Sequence, residues 1–315
     1  MPDPSPLLTR RTLLAGAAGV AGVALLAACG SGGDGGESSD GGGDGDDTGT
    51  GTGTGTDQRS VNLGAVFPLD GLLVTGSPQR LPFIVIDAEG APLDDGPASL
   101  EFVVTDLDGN PVGDPVTVER RNQGIPTAYY PLIFDFPEPG TYQATTTVDG
   151  EELVPRAFSV AEPSAVAVPQ PGQPMIPMET PTTADPRGVD PLCTRDPECD
   201  LHGETLTAVL AEGRPTALLI ATPAYCQTAI CGPVLDVMLG QEAAFPDVRM
   251  VHAEVYENPE AVDNIAEADL APVIDAYHLG YEPVLFLANS DGTIARRLDT
   301  IFDEAEVAAG LAALT

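Results

Sequence analysis

Two cysteines separated by four residues follow an apolar run in the segment TPAYCQTAIC, residues 222–231. Cysteines this close in sequence are typical of a redox-active pair, a pair of metal ligands or a structural disulfide. Residues five positions apart lie about 140° apart around a regular helix. Cys226 and Cys231 therefore cannot pair within one straight helix, and the spacing predicts Cys226 in a loop and Cys231 in the first helical turn. There the free N–H groups of the helix start favour a thiolate at Cys226.

A second set of candidate ligands lies upstream in CTRDPECDLH, residues 193–202. Cys193, Cys199 and His202 are residue types that bind zinc or copper, but their spacing is not that of a common zinc site and the segment lacks a fourth ligand. The favoured interpretation is a small loop closed by a disulfide, with His202 at the surface. His252 lies within an apolar stretch, which predicts a packed histidine rather than a ligand.

The segments around these residues alternate between strand and helix patterns. TALLIAT is a continuous apolar run, as expected of a strand buried on both faces, and a helical pattern follows it. VRMVHAEV predicts a second strand. NPEAVDNIAEADLAPVIDAYHL predicts one helix, with Asn258 as its cap and Pro259 in its first turn. PVLFLANSDGTIARRLDT predicts a hairpin that turns at Asp291 and Gly292, and the last segment predicts a helix capped by Asp303.

This order of elements resembles the thioredoxin fold. LLIATPAYC looks like the central strand that leads into the active-site cysteine of that family, and CGPVLDVML resembles the helix that follows, with Pro233 near the family's kink. GYEPVLFL resembles the segment that holds the family's cis-proline, here Pro283. The lead-in from about residue 170 is similar to exported, membrane-tethered thioredoxins and peroxiredoxins. The resemblance implies an α/β thioredoxin-like fold over residues 192–315.

The same resemblance implies thiol–disulfide exchange with the thiols or disulfides of partner proteins, without a cofactor. Cys226 would form the mixed disulfide, Cys231 would resolve it, and Pro283 would shape the groove that holds the partner chain. The family usually has two residues between its cysteines, whereas this chain has four. One alternative is copper delivery, because Sco-type copper chaperones use a cysteine pair and a histidine, here Cys226, Cys231 and His278; apart from it, no metal is expected. The other is a non-catalytic binding lipoprotein with two structural disulfides.

The N-terminus has the features of an export signal. Arg10 and Arg11 precede an apolar run, and TRRTLL resembles a twin-arginine signal. LAAC at the end of the run resembles the lipobox of bacterial lipoproteins, in which the cysteine, here Cys29, receives a lipid. We therefore expect a signal peptide over 1–28 and a lipid anchor that holds the protein on the extracytoplasmic face of the cell membrane. Residues 29–59 are rich in Gly, Asp and Thr and predict a disordered tether.

Export affects the interpretation of the other four cysteines, because disulfides persist in an oxidising compartment. Local spacing favours the pairs Cys193–Cys199 and Cys226–Cys231, out of three possible pairings. The chain carries a net charge of -35. A surface this acidic repels phosphate backbones, so we expect no nucleic-acid partner.

The region between the tether and the cysteines has a different pattern. Residues 60–162 contain short alternating runs separated by turn signals, which predict an all-β sandwich. EPGTYQA resembles the sixth strand of immunoglobulin-like domains, with Tyr142 as the corner tyrosine. Residues 163–191 form a proline-rich linker. The predicted architecture therefore has two domains, an N-terminal immunoglobulin-like β-sandwich that serves as spacer or binding module and a C-terminal thioredoxin-like domain.

Overall fold

A computed structural model describes residues 60–226 and 228–315. The stretch Arg59–Thr315 forms one compact unit. The predicted signal peptide over 1–28, the lipidation site Cys29 and the tether over 29–59 lie outside the described residues, and they stay predictions.

The first part of the described chain consists of strands. They are β1 (Val61–Ala65), β2 (Leu73–Val74), β3 (Gln79–Asp87), β4 (Ser99–Asp106), β5 (Val116–Glu119), β6 (Tyr130–Phe134), β7 (Gly140–Val148), β8 (Glu151–Glu152) and β9 (Arg156–Ala161). One sheet has the order β1-β3-β6, and the other has the order β2-β9-β7-β4-β5, with β8 paired to β7. Residues 60–162 are thus all-β.

The two sheets bury a core that is rich in aromatic residues. Phe83 of one sheet stacks on Phe102 of the other, with ring centroids 5.1 Å apart. Along β7 the residues Tyr142, Ala144, Thr146 and Val148 are buried and alternate with more exposed neighbours, as expected of a strand with one face in a core. The Tyr142 hydroxyl donates to the Glu138 carbonyl at 2.6 Å.

The second part of the chain contains a four-stranded sheet and four helices. The strands are β10 (Thr216–Ile220), β11 (Arg249–Ala253), β12 (Val284–Ala288) and β13 (Ile294–Asp299), and the helices are α1 (Leu206–Ala211), α2 (Cys231–Leu239), α3 (Pro272–Ala276) and α4 (Glu304–Ala312). The sheet order is β11-β10-β12-β13, with β10 parallel to β11 and antiparallel to β12. Every residue of β10 and β12 is buried, which agrees with their continuous apolar sequences.

The prediction of a C-terminal α/β thioredoxin-like fold is wrong. The structure is mostly β-sheet, with 31% strand and 15% helix, and its C-terminal part is rich in strand. The long helix expected from Asn258 onward is replaced by two three-residue 3₁₀ turns, Pro259–Ala261 and Ile265–Glu267, and the five-residue α3. Asn264 bonds the backbone N–H of Ala266 through its side chain, a local bond that competes with helix formation. Pro272 begins α3 because proline fits only the first helical turn.

The two parts of the chain share cores and a buried ion pair. Val74 of β2 packs among residues of the second part, and so do Ile84 and Tyr129. The Arg80 guanidinium donates to both carboxylate oxygens of Glu306, at 2.9 and 2.6 Å, and both side chains are buried. The Tyr129 hydroxyl donates to the same carboxylate at 2.5 Å. The predicted cap of α4 is confirmed, since the Asp303 carboxylate accepts from the Glu306 N–H at 2.9 Å.

The proline-rich segment lies against the second part. The N–H of Gly172 donates to the Ile294 carbonyl at 2.8 Å, and the N–H of Met175 donates to the Gly292 carbonyl at 2.8 Å. Met175 is buried. The beginning of the predicted linker is therefore held along the hairpin of β12 and β13.

Candidate functional site

Cys226 and Cys231 lie at the end of the buried strand β10. The chain leaves β10 at Ile220, passes through a loop that contains Cys226, and enters α2 at Cys231. The Cys231 N–H donates to the Cys226 sulfur at 3.3 Å. Both cysteines are free thiols; Cys231 is fully buried and Cys226 is partly exposed. The predicted placement, with the first cysteine in a loop and the second in the first helical turn, is confirmed.

The environment divides these two thiols into an acidic one and a weakly acidic one. The pKa of Cys226 is lowered from its ordinary value of 9.0 to about 5, first by the hydrogen bond from the Cys231 thiol and then by the Thr228 hydroxyl and the Cys231 N–H, against the effect of burial. The same thiol–thiol hydrogen bond and burial raise the pKa of Cys231. At neutral pH the site therefore holds a thiolate on the accessible sulfur and a thiol on the buried one.

A buried carboxyl group, Glu282, lies beside the two sulfurs. The possible ligand atoms of Cys226, Cys231 and Glu282 all lie within 4.8 Å of one another. The Glu282 Oε2 atom is buried and has no hydrogen-bond partner within the described structure. Burial raises the pKa of Glu282 to about 9, and the negative charge of Cys226 adds to this effect. Glu282 is therefore protonated at neutral pH while Cys226 is a thiolate.

Pro283 follows Glu282 directly and precedes β12. The Glu282–Pro283 peptide bond is cis, as the sequence resemblance implied. Glu282 itself was not among the predicted site residues. The signal for it was weak: a single carboxylic acid before the proline, with nothing in the sequence to show that its side chain is buried.

His278 does not join the cysteine pair. It is exposed and has a backbone φ of 54°. Among the described residues, the group of possible ligands around Cys226 and Cys231 contains Glu282 and not His278. The copper ligand set expected from the sequence is therefore not brought together.

The structure assembles a second cluster, which consists of Cys193, Cys199, His202 and His252. The two sulfurs are 3.6 Å apart, and both cysteines are free thiols. The His252 Nδ1 atom lies 3.7 Å from the Cys193 sulfur and 3.5 Å from the Cys199 sulfur. The His202 Nε2 atom lies 3.3 Å from the Cys199 sulfur and 3.3 Å from His252 Nδ1.

Two expectations for this cluster are wrong. His202 was expected at the surface, but it is 3% exposed, because the loop folds back onto β11. His252 was expected to be an ordinary packed histidine, but its Nδ1 atom faces the sulfurs. The fourth ligand missing from the local segment comes from a strand about fifty residues further along the chain, and local spacing contains no sign of that contact.

Hydrogen bonds connect the two clusters. The Thr194 N–H and hydroxyl both donate to Glu254, at 2.6 and 2.8 Å. The Thr194 hydroxyl oxygen also accepts from the Ala224 N–H at 3.1 Å. Thr194 follows Cys193 and Ala224 lies two residues before Cys226, so the loop of the second cluster supports the loop of the first.

Comparisons with known proteins do not place the chain in a family. No family model matches it, and no curated protein is similar to it. Among solved structures, titin M4 aligns at 13% identity over 33% of this chain and 96% of its own, with a TM-score of 0.20. The Pseudomonas fluorescens alkylpurine DNA glycosylase AlkC aligns at 15% identity over 33% of this chain and 31% of its own, also with a TM-score of 0.20. Likenesses this weak carry no argument about fold or function.

In the described ranges, no helix combines the length and the apolar character that crossing a bilayer requires.

Proposed function

We propose that the protein exchanges thiols and disulfides with partner proteins through Cys226 and Cys231. The observation that supports this proposal best is the pairing of an accessible thiolate with a buried thiol at the start of α2. The accessible sulfur accepts a hydrogen bond from the buried residue's N–H at 3.3 Å. A purely structural disulfide does not need one acidic and one weakly acidic sulfur, whereas exchange depends on that difference.

The first step is attack by the Cys226 thiolate on a sulfur of the partner's disulfide. A bond forms between Cys226 and that sulfur, the partner's S–S bond breaks, and the other partner sulfur leaves as a thiolate that takes a proton from water. Cys226 is suited to this step because it is partly exposed and its pKa is lowered to about 5.

The second step requires Cys231 to lose its proton. The Cys231 thiolate then attacks the Cys226 sulfur, the 226–231 disulfide forms, and the partner leaves with both of its sulfurs reduced. Glu282 lies within 4.8 Å of both sulfurs. In the mixed disulfide Cys226 no longer carries the charge that helps to raise the pKa of Glu282. Glu282 then ionises more readily and can accept the Cys231 proton.

Location follows from the N-terminal sequence. LAAC after an apolar run supports lipid attachment at Cys29 and exposure on the extracytoplasmic side of the cell membrane. Disulfide chemistry persists in that compartment, so the location and the proposed activity support each other.

The decisive experiment is trapping of the intermediate. In Cys231→Ser nothing resolves the mixed disulfide, so a partner or a model disulfide should accumulate on Cys226 and release on reduction. Cys226→Ser is the matched control and should trap nothing. If Cys231→Ser traps no more than Cys226→Ser, and the 226–231 bridge has a potential below about -300 mV, as structural disulfides do, the pair is a staple and the exchange proposal fails.

A further inference from the structure

We propose that Cys193, Cys199, His202 and His252 bind one Zn²⁺ ion in a closed, four-coordinate site. This inference does not depend on the proposed exchange activity, because none of the four residues takes part in it. The four possible ligand atoms all lie within 4.8 Å of one another, and two cysteines with two histidines form one of the common structural zinc ligand sets.

The distances within the cluster match a tetrahedron around zinc. With bonds of about 2.3 Å to sulfur and about 2.05 Å to nitrogen, tetrahedral zinc places its ligands about 3.8 Å apart for two sulfurs, about 3.6 Å for sulfur and nitrogen, and about 3.3 Å for two nitrogens. The measured sulfur–sulfur distance is 3.6 Å and the nitrogen–nitrogen distance is 3.3 Å. The three measured sulfur–nitrogen distances are 3.7, 3.5 and 3.3 Å. Five of the six edges thus agree within about 0.3 Å with those of the expected tetrahedron.

The orientation of His252 is fixed by a bond outside the cluster. Its Nε2 atom lies 3.1 Å from the Ala221 carbonyl oxygen, which can only accept, so Nε2 carries the proton and donates. The Nδ1 atom that faces the sulfurs is then unprotonated and free to bind a cation. A metal-bound histidine commonly donates its second N–H to a carbonyl in this way.

The chemistry of the cluster favours a cation over a disulfide. A Cys193–Cys199 bridge would involve the two sulfurs but leave the two imidazole nitrogens, 3.3 Å apart, facing each other without a reason for their convergence. A divalent cation bound by two thiolates is neutral overall, which reduces the cost of burying the charges. His202 and His252 are 3% and 1% exposed, so the site has no open position for substrate, and a structural ion fits better than a catalytic one.

The ion would join parts of the chain that are distant in sequence. Cys193, Cys199 and His202 belong to a stretch without helix or strand between the proline-rich segment and α1, and His252 belongs to β11. Coordination would fix this irregular stretch to the edge of the sheet, where Thr194 supports the loop of Cys226.

The test is metal binding by the reduced full chain. We expect about one equivalent of zinc, and with Co²⁺ the absorption bands of a tetrahedral ion with thiolate charge transfer. Zinc should protect Cys193 and Cys199 from alkylation and leave Cys226 reactive. His252→Ala and His202→Ala should lose the ion. His278→Ala, which changes the third and exposed histidine, and the double variant Cys226→Ser/Cys231→Ser should keep it.

Several outcomes would overturn the proposal. These are a reduced, folded chain that binds neither zinc nor cobalt, zinc retained in folded His252→Ala, zinc lost in Cys226→Ser/Cys231→Ser, or a site that takes Cu(I) and rejects zinc. If the histidine variants do not fold, the wild-type cobalt spectrum and the map of protected cysteines decide alone. A loss of exchange activity with zinc still bound would instead count only against the proposed function.

Discussion

The alkylation of Cys226 should show an inflection near pH 5 in the reduced protein, because its pKa is about 5 rather than 9.0. At pH 7 such a thiol is about 99% ionised and an ordinary one about 1%, a gain of roughly 100-fold. Thiolate nucleophilicity falls with pKa by a Brønsted coefficient of about 0.4–0.5, so four units lower the intrinsic reactivity by about 40- to 100-fold. The two effects nearly cancel, and the rate at pH 7 alone says little.

The difference becomes large in acid. At pH 5 Cys226 is about half ionised and an ordinary thiol is about 0.01% ionised, so after the same nucleophilicity correction Cys226 should react about 50 to 125 times faster. The assay is a pulse of iodoacetamide from pH 4 to 10, followed by peptide mapping, with a small model thiol as the reference.

The control variant is Cys231→Ala. It removes the thiol that contributes most to lowering the pKa but keeps the backbone N–H, so the inflection should move up toward the ordinary range. A wild-type inflection near 8.5–9, or the same inflection in wild type and Cys231→Ala, would refute the assignment of the thiolate to this hydrogen bond.

Three further predictions concern other parts of the molecule. Arg80→Ala leaves the buried Glu306 carboxylate without its cation and should lower the free energy of unfolding by about 3–5 kcal/mol in urea melts; Arg187→Ala, which breaks exposed pairs, should cost at most about 1 kcal/mol, and equal effects would contradict this. For Glu282 the folded pKa of about 9 exceeds the ordinary 4.5, so the folded state holds the proton more tightly and stability falls as pH rises from about 4.5 to about 9. Glu282→Gln should remove that slope and be more stable than the reduced wild type at pH 7 by about 3 kcal/mol in urea melts, and an unchanged slope would show that Glu282 is ionised. Cys29→Ser should release the protein from the membrane fraction; unchanged membrane association and mature size would count against lipidation.

The position of the cysteine pair could be predicted because local geometry determines it. The angle between residues five apart on a helix places Cys226 outside α2, and the apolar run before it predicts β10. Glu282 and His252 could not be assigned to sites in this way. Their importance depends on contacts between distant strands, and a single sequence does not show which side chains meet there.

The helix expected from Asn258 failed for a different reason. Its apolar residues have helical spacing, but Asn264 bonds the nearby backbone instead, and Pro272 cannot continue a helix that began earlier. Periodicity indicates which residues face a core and does not decide between one long helix and several short turns. The overall fold class was predicted wrongly for the same region.

The buried contact between Arg80 and Glu306 has a consequence for how this protein can be divided. The composition of residues 163–191 suggests a seam between two independent modules, yet charges and apolar side chains are buried across it. Cutting the chain there would expose an unpaired carboxylate in one half and an unpaired guanidinium in the other. The halves should therefore melt in one transition, and the segment with the cysteines should not be transferable to another protein without the strands that precede it.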